Sequence, residues 1–160
     1  MSEFVERYGG IYEYSPWVAE EAETVFEGVD DTGRLAAIMA DCVDNASTER
    51  QLELIRAHPD LAGRAQIAGD LTPESTEEQT SAGLDRCSAG EFERFQSLND
   101  AYWKKFDFPF VMAVRNSSRA EILEAFETRL GNDYDTEFET ALAEIHKIAK
   151  LRLEAMEQLS

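Results

Sequence analysis

Apolar residues recur along this chain at the three-and-four spacing of helix faces almost from end to end, and no stretch alternates apolar with polar as a half-buried strand would. Ser15-Pro16-Trp17 predicts a helix start, a serine cap with proline in the first turn, after which Val18, Ala22, Val25 and Phe26 mark one face. Leu35, Ile38, Met39, Cys42 and Val43 repeat the spacing. Ser47-Thr48 ahead of Glu49-Arg50-Gln51 predicts another start, with Leu52, Leu54 and Ile55 toward the core. Pro59 should end that helix, because the residue before a proline is pushed out of helical backbone, so His58 is expected at a helix end. Thr72-Pro73 predicts a helix through Gln79 to Leu84, from whose early part Glu78 and Gln79 project. A longer helix over 89–106 carries Phe92, Phe95, Leu98 and Tyr102, and Phe108-Pro109-Phe110-Val111 after it should be extended or a turn. Ser118 is expected to cap a helix over 121–130, stopped by Gly131-Asn132. A final helix over 136–159 carries Phe138, Leu142, Ile145, Ile148, Ala149 and Leu153. With no internal repeat or low-complexity linker, the reading is all-α.

Composition narrows the picture without changing it. At 160 residues and 43% hydrophobic, residues 1–160 are expected to form one domain with its own core, a compact multi-helix bundle. No apolar run approaches the roughly 20 residues of a membrane span, and Met1-Ser2-Glu3-Phe4 lacks the basic and apolar regions of a signal peptide. Gln158-Leu159-Ser160 is not a peroxisomal address, so a soluble protein of the cytoplasm is expected, with no membrane partner. A net charge of -18 and a pI near 4.4 argue against nucleic acid, whose phosphates call for clustered Lys and Arg. Lysine occurs only at Lys104, Lys105, Lys147 and Lys150. Such acidity suggests adaptation to a salt-rich, halophilic cytoplasm, where repulsion is screened over about 3 Å at 1 M salt.

Candidate chemistry is sparse. Cys42 and Cys87 are too few for a disulfide scaffold and lack zinc-site spacing, and both read as buried or unreactive. Only His58 and His146 titrate naturally near neutrality. His146, among Ile145 and Ile148, reads as a satisfied interior or interface residue. His58, held by Pro59 at a helix end, is the leading candidate for acid/base work. A carboxylate near it would raise its pKa and fix its orientation. Asp60 reads as a cap or turn residue, and Trp17, Trp103, Phe92 and Phe95 as core. Taken alone, His58 could equally be a structural histidine, Glu78 a solvated helix carboxylate and Arg152 part of a surface salt bridge.

An ordered set of segments weighs against those plainer readings. His58-Pro59-Asp60-Leu61-Ala62-Gly63 is followed by Ser75-Thr76-Glu77-Glu78-Gln79 and Ala82-Gly83-Leu84-Asp85. Then come Leu98-Asn99-Asp100-Ala101-Tyr102, Phe106-Asp107-Phe108-Pro109-Phe110-Val111 and Ile148-Ala149-Lys150-Leu151-Arg152-Leu153. From about Phe4 to Leu159 the chain resembles the 2-oxo-4-hydroxy-4-carboxy-5-ureidoimidazoline (OHCU) decarboxylases of uric acid degradation.

The resemblance implies a carboxy-lyase that turns OHCU, a small heterocyclic acid, into (S)-allantoin without cofactor or metal, and it suggests a homodimer. It implies His58 and Glu78 as catalytic, Glu78 being preferred to Glu77 and Glu74 because it takes the glutamate of the family's Ser-x-x-Glu-Gln pattern. It further implies substrate contacts from Pro59, from Ser75, Thr76, Glu77, Glu78 and Gln79, and from main-chain groups of Phe110, Val111, Met112, Ala113 and Val114. Arg152 would grip a carboxylate or carbonyl. One departure stands out: Asp107 occupies a family glycine position, where it should tolerate left-handed backbone and face solvent. The competing readings are an inactive helical interaction module of the same fold and a related lyase acting on another ureido acid.

Overall fold

Short polar residues set where the helices begin. In the computed structural model, which describes residues 2–26, 32–62, 71–115 and 117–158, Ser47 Oγ accepts from Arg50 N at 3.2 Å and Thr72 Oγ1 from Ser75 N at 3.2 Å. Ser88 and Ser118 each close a reciprocal capping box, with Glu91 and Glu121, so that two of the amide hydrogens a helix start leaves unmatched are satisfied at once. Among the described residues the elements are α1 (Glu3–Tyr8), α2 (Trp17–Val25), α3 (Thr32–Asp44), α4 (Thr48–Arg56), α5 (Pro73–Ser81), α6 (Ala89–Phe106), α7 (Arg119–Leu130) and α8 (Tyr134–Gln158). A 3-10 turn, Leu84–Arg86, follows α5. The described residues contain no strand, as the periodicity predicts.

Several boundaries and faces differ from the sequence reading. The short α1 escaped it. Ser15 does not cap α2: its hydroxyl donates to the Glu13 carbonyl at 2.9 Å and Pro16 takes the cap position. α5 stops at Ser81 rather than Leu84, because Gly83 enters left-handed backbone at φ 78°. Val25 is exposed, whereas Phe92, Leu98 and Leu52 are half-buried. The two cysteines are half-buried, and burial raises both thiol pKa values, so neither is held as a ready thiolate. Gly63 and the Leu159 end of the last predicted helix lie outside the described residues.

The chain falls into two compact units, residues 1–58 with 142–160, and residues 59–141. In the first unit, α1 to α4 and the later part of α8 bury Val18, Ala22, Leu35, Met39, Val43, Leu54, Ile55 and Ile145. Trp17 is half-buried rather than core, with the Arg50 guanidinium over its ring at 4.4 Å.

The second unit is built on aromatics. Tyr102, Phe106, Phe108, Phe110 and Phe126 are all essentially without solvent contact, and Phe110 stacks on Phe126 at 3.9 Å with 8° between planes. Helix α6 ends where Asp107 adopts φ 60°, ψ 29° and returns its N–H to the Trp103 carbonyl at 2.8 Å. The aspartate is exposed, as expected of a residue standing in for glycine. The segment after it, 108–114, is non-helical, also as predicted.

Candidate active site

His58 sits one residue beyond the Ala57 cap of α4, its N–H on the Ile55 carbonyl at 3.2 Å, and its side chain is buried. Nδ1 lies 3.0 Å from the Leu54 carbonyl oxygen. A carbonyl can only accept, so Nδ1 carries the hydrogen and the neutral ring keeps its lone pair on Nε2. Burial lowers the pKa of His58 from 6.5 to about 4. The Leu54 hydrogen bond and the Glu13 charge work against that shift, and the Arg152 charge works with it. The sequence reading expected a raised pKa; desolvation outweighs the neighbouring carboxylate, and the resting imidazole is a base, not a loaded acid.

Arg152, on α8, is in the same unit and equally buried. Its Nη2 donates to Glu13 Oε2 at 2.8 Å, while Nη1 donates to the carbonyls of Gly10 and Ile11 at 3.1 and 3.4 Å. The surface salt bridge that an acidic helix suggested is therefore a buried one, with side-chain exposures of 3% and 1%. Glu13 is the residue that sequence reasoning missed. Its partner lies 139 positions away, so no local pattern marks it in the sequence.

In the second unit, α5 sorts the Ser75–Gln79 stretch by helical geometry. Ser75, Glu78 and Gln79 share the buried face, at the spacing of one helix stripe. Thr76 and Glu77 are exposed: Thr76 Oγ1 donates back to the Thr72 carbonyl at 2.9 Å, and Glu77 pairs with Arg115 at 3.3 Å. Gln79 grips the turn that follows Pro59 with both ends of its amide. Oε1 accepts from Ala62 N at 3.0 Å and Nε2 donates to the Asp60 carbonyl at 3.2 Å.

Three side chains of α6 complete this clamp. Gln96 reaches the Ala62 carbonyl at 2.7 Å, Asn99 the Leu61 carbonyl at 3.0 Å, and the Trp103 indole N–H the Asp60 carboxylate at 2.9 Å. Ala62 needs such restraint, since it holds φ 51°, a left-handed conformation that costs a non-glycine residue about 1–2 kcal/mol. Asp60 is thus a turn residue, as expected, and burial raises its pKa. Trp103 is half-buried and serves this turn rather than the core.

The Phe110–Val114 segment is fixed by a buried charge. Arg129 of α7 donates from Nη1 to the Val111 carbonyl at 2.6 Å and from Nε to Glu137 at 2.9 Å, and its guanidinium lies 4.3 Å from the Phe110 ring centre. Tyr102 adds a 2.6 Å bond to the same carboxylate oxygen, and Asn132 holds the other at 3.2 Å. Burial, then the Glu137 bond, raises the Tyr102 pKa well above the usual phenol range. Phe110, Val111 and Val114 are buried, while Met112 and Ala113 are half-buried. The Val114 carbonyl accepts from Ser117 N at 2.9 Å, so the carbonyls of Val111 and Val114 both have partners within the unit.

His146, the second histidine, is satisfied, as expected. Its Nε2 is 3.0 Å from Asp44 Oδ1 and its Nδ1 2.8 Å from the Tyr12 hydroxyl, which burial keeps protonated. Among the described residues no group of three His, Cys, Asp or Glu side chains could hold a metal ion, and no helix is long and apolar enough to cross a membrane.

Comparisons with known proteins give the family. Residues 1–154 match the family model described as OHCU decarboxylase. The chain is 48% identical over 155 residues to the 2-oxo-4-hydroxy-4-carboxy-5-ureidoimidazoline decarboxylase of Halalkalicoccus jeotgali, covering 96% of this chain and 84% of that one. A crystal structure of OHCU decarboxylase in the presence of (S)-allantoin superposes with a TM-score of 0.75 at 26% identity, covering 94% of this chain and 96% of the other. A crystal structure of (S)-allantoin synthase gives the same TM-score at 35% identity over 94% of this chain, which spans about half of that longer one, 48%. The chain belongs to the OHCU decarboxylase family, a family of carboxy-lyases.

Proposed function

We propose that this protein decarboxylates OHCU to (S)-allantoin in uric acid degradation, with His58 as the proton carrier and Glu78 as its acid/base partner in the reaction. The observation that carries this reading is the buried imidazole of His58, Nδ1 committed to Leu54 and Nε2 left basic, in a chain that belongs to this family over 1–154. The substrate's own ring C=N bond serves as the electron sink. As the C–CO2 bond breaks, its electron pair forms a C=C bond to the ureido-bearing carbon, and the C=N pair moves onto the ring nitrogen, which takes a proton.

A neutral His58 can start this sequence by accepting the substrate's hydroxyl proton. The imidazolium so formed then returns that proton to one face of the ureido-bearing carbon, while the oxygen keeps its electrons as the new ring carbonyl. The balance is one carboxylate and one proton consumed, one CO2 released. Delivery from a single side sets the S configuration. A ring that is mostly unprotonated at neutral pH suits this order of events, since it must pick up a proton before it can give one.

In the same reading Pro59 packs on the heterocycle. Ser75, Glu78 and Gln79 with the backbone of Thr76 and Glu77 contact its polar atoms, main-chain groups of Phe110 to Val114 bind its edge, and Arg152 orients its carboxylate. The grouping of Ser75, Glu78 and Gln79 on one buried face of α5, and the fixed orientation of the buried Arg152 guanidinium, support these roles. The whole chain would act as one catalytic domain, as a homodimer, in the cytoplasm of a salt-rich cell. The net charge of -18 supports the salt-rich setting. Substrate profiling in high salt tests the assignment: freshly generated OHCU is expected to release CO2 faster with enzyme than without, and other cyclic ureido acids not to. Acceleration confined to another ureido acid would replace the substrate, and no acceleration of any would leave a binding module.

A further inference from the structure

Glu13 is a buried carboxylate that the chemistry above does not use. It is 2% exposed, it holds Arg152 Nη2 at 2.8 Å, and the carbonyls of Gly10 and Ile11 hold the neighbouring Nη1. Burying an ion pair is a poor way to gain stability, because desolvating the two charges offsets most of their attraction and apolar residues of similar volume would serve the fold as well. The pair also stands close enough to His58 for both charges to act on it. Together with the Leu54 carbonyl, Glu13 and Arg152 act on this ring, the carboxylate favouring the imidazolium and the guanidinium opposing it.

Decarboxylation makes the position of such a pair consequential. The reacting carboxylate ends as neutral CO2, so a guanidinium with its full charge unopposed would stabilise the reactant more than the transition state and slow the step. A guanidinium whose charge is already balanced by a fixed carboxylate can orient an anion with far less of that penalty.

We propose that Glu13 is a positioning residue of the reaction: it fixes the Arg152 guanidinium and balances its charge, so that Arg152 orients the anionic substrate without holding its carboxylate back from loss of CO2. This rests on the decarboxylase reading and on Arg152 being one of the groups that meets the substrate. Glu13 has a second effect of the same origin, since its charge offsets that of Arg152 at His58 and eases formation of the imidazolium on which protonation depends.

The test uses the full chain in high salt, as wild type, Glu13→Gln and Glu13→Asp. With OHCU as substrate, Glu13→Gln is expected to lower KM while lowering kcat by roughly tenfold or more, and Glu13→Asp to recover part of kcat. The imidazole of His58, one of two in the chain and assigned by comparison with a His146 variant, is expected to titrate by NMR at lower pH in Glu13→Gln than in wild type. A purely structural role predicts the reverse, because loosened packing wets the ring and moves its titration up toward about 6.5, with kcat falling only in step with the folded fraction. An upward His58 shift, or KM and kcat unchanged in folded Glu13→Gln, overturns the proposal. If the glutamine variant does not fold, the aspartate variant decides. Its kcat is expected at or below that of wild type with His58 titrating no higher than in wild type, and an upward His58 shift with kcat falling only in step with the folded fraction overturns it. A wild type inert toward OHCU removes the decarboxylase reading and this proposal together, whereas an active wild type matched by Glu13→Gln removes this proposal alone.

Discussion

The two units each bury an arginine–glutamate pair, and the pairs are put to different use. Arg129–Glu137 is wrapped in aromatic rings, with Phe110 under the guanidinium and the Tyr102 hydroxyl on the carboxylate, and its remaining reach goes to the Val111 carbonyl. Tyr102 is the titratable neighbour, and it is kept protonated at any ordinary pH. Arg152–Glu13 instead acts on His58, the proposed proton carrier, the carboxylate favouring its charged form and the guanidinium opposing it. Both arginines hold backbone carbonyls, but only the second pair also sets the electrostatic surroundings of a base. The same ion pair is therefore architecture or chemistry according to whether its neighbour can titrate.

Breaking the first pair should cost stability and leave the pH dependence alone. Glu137→Gln strands the Arg129 charge in an apolar interior and is expected to destabilise the protein by about 3–5 kcal/mol in chemical denaturation. Replacing both partners at once, Arg129→Met with Glu137→Leu, should cost less than Glu137→Gln alone, and a cost equal to the sum of the two single changes would contradict the picture of coupled charges. The second pair sharpens the contrast through pH. His58 in the unfolded chain takes a proton near 6.5 but in the folded chain only near 4, so the unfolded state binds more protons between those values and stability should fall as pH drops through that window. His58→Gln should flatten this decline, as followed by thermal melts from pH 7 to 4. The acid limb of kcat/KM should likewise sit near 4 rather than 6.5.

Smaller effects test the details of each unit. Tyr102→Phe removes one hydrogen bond to Glu137, which Arg129 still satisfies, and is expected to cost about 1–2 kcal/mol with no change in pH profile. Asp107→Gly relieves a left-handed aspartate that faces solvent. It should raise stability by at most about 1 kcal/mol and leave KM unchanged, and a marked change in KM would mean that the carboxylate acts on the substrate after all.

What the sequence discloses follows from how local each feature is. Thr72-Pro73, Ser47-Thr48, Ser118 and the left-handed Asp107 are settled within three or four residues, so helix starts and the all-α class are legible. The six residues of α1 carry too little periodicity to stand out. Gly83 ends α5 early through backbone freedom that a run of helix-compatible residues conceals. For the site, His58 is legible because proline fixes its place at a helix end, but its lowered pKa depends on burial that no spacing reveals. Glu13, Arg129 and Glu137 look like ordinary charges in an acidic chain until partners from distant segments enclose them. Gln79 is legible only through the family's Ser-x-x-Glu-Gln pattern, and its grip on Asp60 and Ala62 appears only once the turn is folded.

The central claim, that His58 carries a proton to one face of the decarboxylated intermediate, is tested most directly by circular dichroism of freshly generated OHCU in high salt with wild type and with folded His58→Ala. The account predicts rapid growth of the (S)-allantoin signal with wild type and a loss of on the order of a hundredfold or more in rate with the variant. Equal rates and equal optical purity from the two proteins would contradict it.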